Sequence, residues 1–224
     1  MSSGVSLGPC EERGGGVGSR QIVMPAFSRG FHGRRDPAVD PSRIPPGQYL
    51  TPDFPVLSAG PTPHVATAEW SLTIDGAVDA PLTWSWDALL ALPNETFTVD
   101  IHCVTKWSKL DTTWTGVALD TLLEGVDTEA DYVTAWCDGD YTTNVPLEDL
   151  RGGRAWIVHT YDGEPLAPEH GGPARLLVPH LYFWKSAKWV RRLTLTIDDE
   201  PGFWEAAGYH NYGDPWQEQR YWND

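Results

Sequence analysis

Cysteine is scarce in this sequence, and so are the patterns that define a disulfide scaffold, a zinc site or a membrane span. The 224 residues hold three cysteines, Cys10, Cys103 and Cys137. They form no Cys-x-x-Cys pair and no even framework, so neither a disulfide-stapled fold nor a structural zinc site is indicated. No apolar run approaches the roughly 20 residues that a membrane-spanning helix needs. With 41% hydrophobic residues and 12 tryptophans, the chain is expected to be globular and soluble, with no membrane span.

Positive charge is also scarce. Sixteen lysines and arginines stand against 31 aspartates and glutamates, a formal net charge of −15. This balance argues against nucleic acid as a partner, because a phosphate backbone needs a basic face. The start of the chain has no apolar segment, and the Arg34-Arg35 pair is followed by Asp and Pro instead of an apolar stretch. No secretory signal is therefore predicted, and a cytoplasmic location is expected.

Composition divides the chain into three regions. Residues 1–26 are rich in glycine and poor in apolar side chains, so they are predicted to be disordered. Residues 27–68 are dense in proline and glycine and are predicted to form an extended arm, whose most apolar part, 53–58, would dock on the rest of the chain. Residues 69–224 are the predicted folded domain.

From residue 69 onward, short runs of alternating apolar and polar residues predict β-strands. Ser85 can cap a helix that stops at Pro93. Two more short helices are predicted, at 118–123 before Gly125 and directly after Pro146. Because strands and helices do not alternate regularly, the sequence predicts an α+β fold with mixed or antiparallel sheets. The strands are predicted at 70–74, 82–84, 97–101, 132–137, 141–145, 155–161, 164–166, 175–178 and 189–197, and residues 114–117 lead into the helix at 118–123.

Cys103 is the first candidate functional residue, because the strand predicted at 97–101 ends just before it. Lys106 and Lys109 follow it and are the only lysines or arginines between positions 43 and 151. Two positive charges beside a thiol favour the thiolate, which is the form that binds a metal or attacks an electrophile. The alternative is a buried thiol that only packs in the core.

The four lysines of the chain occur as two pairs, Lys106 with Lys109 and Lys185 with Lys188. The second pair lies within a basic segment, 175–192, of an otherwise acidic chain. If the two pairs converge, they form an anion pocket beside the thiol. Arg175 follows a Gly-Gly pair, and this arrangement suits phosphate, since glycine allows close backbone approach and guanidinium binds with two hydrogen bonds. The alternative is that these cations pair with some of the acidic residues.

Four stretches, taken together and in this order, resemble a known family. They are Ile101-His102-Cys103, the step 114–117 into 119–123, the loop 170–175 with Val178-Pro179, and the run 185–190. Together they resemble the molybdopterin domain of the sulfite oxidase family, over about residues 48–216. The resemblance implies the sulfite-oxidase-type molybdopterin-binding fold and an enzyme whose cofactor is molybdenum–molybdopterin (Mo-MPT), without haem.

The resemblance also implies roles for particular residues. Cys103 would be the protein's ligand to molybdenum, a metal centre that a soft thiolate suits. The segment 54–58 would cover the cofactor. The residues implied to hold the cofactor are Cys103, Arg175, Ser186, Ala187, Lys188, His170, Cys137 and Val56.

The segment 203–210 resembles the part of sulfite oxidases that carries an active-site tyrosine, which makes Tyr209 a candidate to hydrogen-bond a metal oxo group or the substrate. The alternative is an aromatic packing tail. Sulfite oxidases carry an Asn-Arg-Arg run soon after the cysteine and an arginine in the covering loop, which bind the substrate anion; here those places hold Lys106-Trp107-Ser108 and Leu57. Sulfite is therefore not the expected substrate, although Lys106 could supply a point charge.

The function expected from these features is two-electron oxygen-atom transfer between water and a small-molecule substrate, with the cofactor carrying the chemistry. Electrons are expected to leave through a separate electron-transfer partner or a soluble acceptor. One alternative is a reductase of sulfoxides or other S- or N-oxides on the same fold, favoured if the pocket is poor in cations. Another is a non-enzymatic aromatic-rich binding module.

Overall fold

The computed structural model describes residues 39–224, so the predicted disordered segment 1–26 and the arm residues 27–38 lie outside the described residues. Within residues 39–224 the chain forms eleven β-strands and three short α-helices, joined by loops and 3₁₀ turns. The strands are β1 (Tyr49–Leu50), β2 (Ser71–Gly76), β3 (Leu82–Ser85), β4 (Glu95–His102), β5 (Trp107–Ala118), β6 (Tyr132–Cys137), β7 (Thr142–Pro146), β8 (Trp156–Tyr161), β9 (Glu164–Pro165), β10 (Arg175–Leu177) and β11 (Val190–Thr196). The helices are α1 (Trp86–Ala91), α2 (Leu119–Leu122) and α3 (Phe203–Ala206).

The strands form two mixed sheets. The first has the order β1–β5–β8–β10, with β4 also paired to β5 and β9 to β8. Its β1–β5 pair is parallel and its other pairs are antiparallel. The second has the order β3–β2–β11–β6–β7, and only its β2–β11 pair is parallel. The predicted α+β class with mixed sheets and short helices is therefore confirmed.

The sequence pattern did not predict the strand β5, which begins at Trp107 and includes residues 114–117, the segment expected only to lead into a helix. Its first half contains Ser108 and Thr112, two polar residues that are buried. Ser108 Oγ lies 2.8 Å from His102 Nδ1, and the Thr112 hydroxyl donates to the backbone oxygen of Val99. These internal partners allow polar residues inside the sheet, so the apolar alternation that marks a strand is missing here.

The helix predictions are confirmed in part. The Ser85 hydroxyl accepts a hydrogen bond from the backbone N–H of Ala88 at 3.3 Å, and this bond caps α1 as predicted. Pro146 closes β7 and is the N-cap of a short 3₁₀ helix at Leu147–Leu150, so the predicted short helix is present, as a 3₁₀ helix with Pro146 one position before its predicted place at N1. The helix α3, near the C-terminus, was not predicted.

Side chains from both sheets pack into a common apolar core, for example Ile74 and Leu193 from the second sheet and Ile157 from the first. A second buried cluster is mainly aromatic and surrounds Cys103. The arm residue Phe54 packs against this second cluster, and β1 attaches the arm to the start of β5. The arm therefore lies over the aromatic cluster, where Cys103 also lies.

Candidate cofactor site

A cavity of about 480 Å³ lies beside the loop that joins β4 to β5. Its walls come from the arm between Phe54 and Pro63, from the loop itself and from residues 138–141. The remaining walls come from residues 175–189 and from residues 203–209. Segments that are far apart in sequence thus converge on one site that is large enough for a cofactor.

Cys103 is the first residue of the β4–β5 loop, and its side chain lines the cavity although it is only 7% exposed. Its backbone N–H donates to the backbone oxygen of Trp107 at 2.8 Å, and the Thr105 hydroxyl donates to Sγ at 3.2 Å. Burial raises the pKa of the thiol, although the hydrogen bonds from Thr105 and the charge of Lys188 act in the opposite direction. The thiol thus favours its neutral form until a cation binds to the sulfur.

The two lysines predicted beside this thiol do not lie in the cavity. Lys106 has φ of 76° at the tip of the loop and is exposed to solvent. The Lys109 ammonium donates to the backbone oxygen of Pro52 and so attaches the arm. The argument from sequence that these two charges favour the thiolate is therefore wrong, because the loop directs them to the arm and to solvent.

Arg175, the first residue of β10, lines the cavity and is 1% exposed. Its Nη1 donates to the backbone oxygen of His170 at 2.7 Å, and its Nη2 donates to that of Ser186. Its Nε has no hydrogen-bond partner, and within residues 39–224 no carboxylate lies within ion-pair distance of the guanidinium. Burial lowers the pKa of Arg175 to about 9. The protein thus buries a positive charge without neutralising it.

Ser186, Ala187 and Lys188 line the cavity next to Arg175. The Ser186 hydroxyl accepts a hydrogen bond from the backbone N–H of Val178 at 2.9 Å, which orients the side chain. Lys188 Nζ donates to the backbone oxygens of Leu57 at 2.8 Å and Glu169 at 2.6 Å. Burial, together with the charge of Arg175, lowers the pKa of Lys188 to about 8. Lys188 is thus a second cation of the cavity that binds only neutral oxygens.

Three other residues implied by the resemblance lie near the cavity but do not line it. His170 stacks on Phe54 with ring centroids 3.9 Å apart, and its backbone oxygen holds Arg175. Cys137 ends β6, next to the lining residue Asp138, and burial raises the pKa of its thiol. Val56 is 51% exposed on the arm, although its neighbours Pro55 and Leu57 line the cavity.

Tyr209 lines the cavity as part of an aromatic wall. Its ring stacks on Trp204 with centroids 5.0 Å apart and meets Trp184 edge-on at 5.1 Å. Burial raises the pKa of its hydroxyl. Sequence reasoning missed Trp184 and Trp204 as wall residues, whereas Phe54 belongs to the segment 54–58 that the resemblance implies to cover the cofactor. The clustering of aromatic residues in 182–189 and at 203–204 is the sequence signal that could have marked the two tryptophans.

The predicted basic segment 175–192 does not act as a unit. Lys185 is completely buried and pairs with Glu205 at 2.6 Å. Arg191 donates to the backbone oxygen of Glu69, and Arg192 pairs with Asp75 at 3.5 Å. Among the cations of this segment, Arg175 and Lys188 are those that line the cavity. The predicted convergence of both lysine pairs on one anion pocket is therefore wrong.

The chain matches the family described as oxidoreductase molybdopterin binding domain over residues 59–204, and it belongs to that family. It is 44% identical over 194 residues to the uncharacterized oxidoreductase YuiH of Bacillus subtilis (strain 168), covering 85% of this chain and 98% of the relative. It is 31% identical over 152 residues to the putative protein-methionine-sulfoxide reductase subunit YedZ1 of Azospira oryzae, covering 67% of this chain and 58% of the relative. Among solved structures, the sulfane dehydrogenase SoxCD of Paracoccus pantotrophus matches with a TM-score of 0.56 and 26% identity, covering 61% of this chain and 40% of that one.

These similarities confirm the suspected family, the sulfite-oxidase-type fold and an oxidoreductase that binds molybdopterin. The alternative of a non-enzymatic aromatic binding module is set aside, because the family and these relatives are oxidoreductases. In the part of the chain that the structure describes, no helix has the length and apolar character needed to cross a bilayer. Residues 39–224 also contain no cluster of three or more His, Cys, Asp or Glu side chains suited to a metal ion.

Proposed function

We propose that the cavity holds molybdenum–molybdopterin, with the Cys103 thiolate as the protein's ligand to the metal. The observation that carries this proposal is the combination of a cavity-lining thiol with two cations, the buried Arg175 and the half-buried Lys188, that have no carboxylate partner among the described residues. A buried charge without a partner is costly, and an anionic ligand would offset that cost. The thiol and the cations therefore fit a cofactor that offers a soft metal and a phosphate.

The residues in and beside the cavity have roles that follow from their contacts and positions. Arg175 has a free Nε–H, and Lys188 can exchange a bond to a neutral carbonyl for one to an anionic oxygen, so both suit the pterin phosphate. Ser186 and Ala187 form the backbone and hydroxyl surface beside them. The backbone oxygen of His170 accepts a hydrogen bond from the guanidinium of Arg175 and so holds it in position. The arm residues around Val56 would cover the cofactor, and Cys137 would support the wall next to Asp138.

When bound, the cofactor supplies a two-electron redox centre that exchanges an oxygen atom with water or substrate. The chain itself binds and orients the substrate and limits access of water. The Tyr209 hydroxyl can donate a hydrogen bond to the oxygen of the substrate, and Trp184 and Trp204 form an apolar surface beside it. Lys106, exposed on the loop, is expected to contribute little.

The cavity favours a neutral oxide over sulfite as the substrate. Its two cations are the ones assigned to the cofactor, and its remaining walls are mainly apolar, with many aromatic side chains, so no further positive charge is available for a substrate anion. A sulfoxide takes up two electrons and two protons and gives a thioether and water. We therefore infer reduction of an S- or N-oxide as the direction, with electrons from a separate protein or soluble donor. The name of the relative YedZ1 agrees with this chemistry.

The first experiment is metal and pterin analysis of protein expressed in a molybdopterin-competent host. We expect about one molybdenum and one pterin per wild-type chain and a large loss of metal in Cys103→Ser. Cys137→Ser should keep its metal, because Cys137 does not line the cavity. Wild-type protein without metal, in a host that loads another member of the family, would refute the proposal.

The second experiment tests the direction of the reaction. Loaded protein is assayed with a reduced viologen dye and methionine sulfoxide, dimethyl sulfoxide or trimethylamine N-oxide, and separately with sulfite and ferricyanide. We expect dye oxidation with at least one oxide and little activity with sulfite. The reverse pattern would retain the cofactor assignment and overturn the direction.

A further inference from the structure

Lys185 and Glu205 form an ion pair that is closed to solvent, with side chains 0% and 1% exposed and Nζ 2.6 Å from Oε1. Lys185 Nζ also donates to the backbone oxygen of Asn144 at 2.7 Å, to its side-chain oxygen at 3.0 Å and to the backbone oxygen of Asn211 at 2.6 Å. The ammonium group is thus held by several acceptors and does not line the cavity. Its function must be sought in what it holds in place.

Glu205 connects this buried lysine to the aromatic wall of the cavity. Its Oε1 accepts hydrogen bonds from Trp184 Nε1 at 2.8 Å and from the Thr143 hydroxyl at 2.9 Å. It lies in α3 directly after Trp204, and Tyr209 stacks on Trp204 and contacts Trp184. One carboxylate oxygen therefore links the wall residues on α3 to Trp184.

We infer that Glu205, held by Lys185, is a positioning residue that fixes the aromatic wall on which the substrate packs. This inference rests on the proposed function of the cavity. A buried ion pair is often no more stabilising than an apolar pair of similar volume, so stability alone does not account for it. A supporting layer that locks the residues lining a site does account for it, because small displacements of the lining side chains weaken binding.

Two charge-neutral double variants separate positioning from stability. Lys185→Met/Glu205→Gln keeps an oxygen that accepts from Trp184 and Thr143, whereas Lys185→Met/Glu205→Met removes it. Both lose the ammonium group and leave the carbonyls of Asn144 and Asn211 in the same state. Any difference in behaviour between the two variants therefore measures the effect of the hydrogen-bond acceptor at position 205. Asp149→Asn/Arg154→Met is the matched control, because it neutralises another ion pair with a buried carboxylate whose residues do not line the cavity.

The first measurement uses loaded protein and methionine sulfoxide with a viologen dye. We expect Lys185→Met/Glu205→Met to raise KM at least fivefold while molybdenum content stays near wild type, since Cys103, Arg175 and Lys188 are unchanged. Lys185→Met/Glu205→Gln and the control Asp149→Asn/Arg154→Met should keep KM within twofold of wild type. Equal KM values for the two Lys185 variants would overturn the inference.

The second measurement is independent of activity. Full-length protein made without cofactor, carrying Cys10→Ser and Cys137→Ser, is alkylated at Cys103 by iodoacetamide and by a bulky maleimide. The ratio of the two rates reports access to the sulfur, because the thiolate fraction cancels. We expect the ratio to shift toward the bulky reagent at least threefold in Lys185→Met/Glu205→Met and in no other variant. If wild-type protein proves inactive, the proposed sulfoxide reduction fails, but the ratio of alkylation rates still tests whether Glu205 positions the aromatic wall. Equal ratios in the two Lys185 variants would refute this positioning role.

Discussion

Replacing Arg175 by methionine should change stability and cofactor binding in different ways. The fall in the pKa of Arg175 from its ordinary value to about 9 corresponds to about 5 kcal/mol against the charged form. The substitution removes the free-energy cost of burying the charge and keeps most of the side-chain volume. It also leaves the backbone oxygens of His170 and Ser186 without their donor, at about 1–3 kcal/mol each. The two effects nearly cancel, so cofactor-free protein should unfold within about 2 kcal/mol of wild type.

The measurement is urea unfolding of cofactor-free Arg175→Met, together with molybdenum and pterin analysis of protein made in a loading host. We expect near-normal stability in the first and at least a tenfold loss of pterin in the second. Arg192→Met is the matched control, since Arg192 is exposed and pairs with Asp75 at 3.5 Å; it should alter neither quantity appreciably. A loss of more than about 4 kcal/mol in the cofactor-free protein, the cost typical of breaking a buried ion pair, would refute the reasoning.

Gly171→Ala should destabilise by about 2 kcal/mol and lower pterin content, because Gly171 has φ of 109° and a Cβ there would meet the Cβ atoms of Lys188 at 3.0 Å and Arg175 at 3.1 Å. Phe54→Ala should cost about 2–3 kcal/mol in urea unfolding and expose the arm to proteolysis, since the ring contacts five aromatic rings including His170. At Asp149, burial raises the carboxyl pKa, but the hydrogen bond and charge of His180 and the charge of Arg154 outweigh burial and lower it. Stability from Asp149 is therefore present above a pH of about 4 and is lost as pH falls below it, so Asp149→Asn should flatten acid unfolding there.

The substitutions at Gly171 and Phe54 have matched control variants. Gly163→Ala also has a positive φ, 82°, but a Cβ there meets nothing within 4 Å, so it should leave pterin content unchanged. Val56→Ala, on an arm side chain that is 51% exposed, should change stability by less than about 0.5 kcal/mol. For Asp149, the same dependence of stability on pH in the variant and in wild type would contradict the assignment of acid sensitivity to this carboxylate.

Local pattern was sufficient to predict most of the strands and the position of Cys103 at a strand end. Leu72 and Ile74 are completely buried in β2, as their alternation predicts. The pattern failed where polar residues are buried with partners, as at Ser108 and Thr112 in β5. A periodicity argument counts them as exposed, because their partners, His102 and Val99, become visible only when the strands pair.

The roles of the cations could not be predicted from spacing. Lys185 and Lys188 are three residues apart, yet one is closed off with Glu205 and the other lines the cavity. The difference arises because the 3₁₀ turn Phe183–Lys185 faces the C-terminal helix, whereas the residues that follow face the arm. Partners 20 and 131 positions away in sequence decide the two environments, and a single sequence does not reveal which distant residues meet.

Under the proposed function, the charge distribution would couple cofactor binding to stability in a protein of formal net charge −15. A chain with this excess of carboxylates could pair Arg175 and Lys188 with acidic side chains, as it pairs Lys185 with Glu205. Instead, the two cavity cations donate to backbone oxygens, which hold their positions without cancelling their charge. A ligand that binds only the folded state stabilises it by mass action, and an anion here also relieves the buried charge. If the cavity holds the cofactor as proposed, the absence of carboxylate partners around these two residues, in the described part of the chain, would favour binding of an anion and lower the stability of the empty protein.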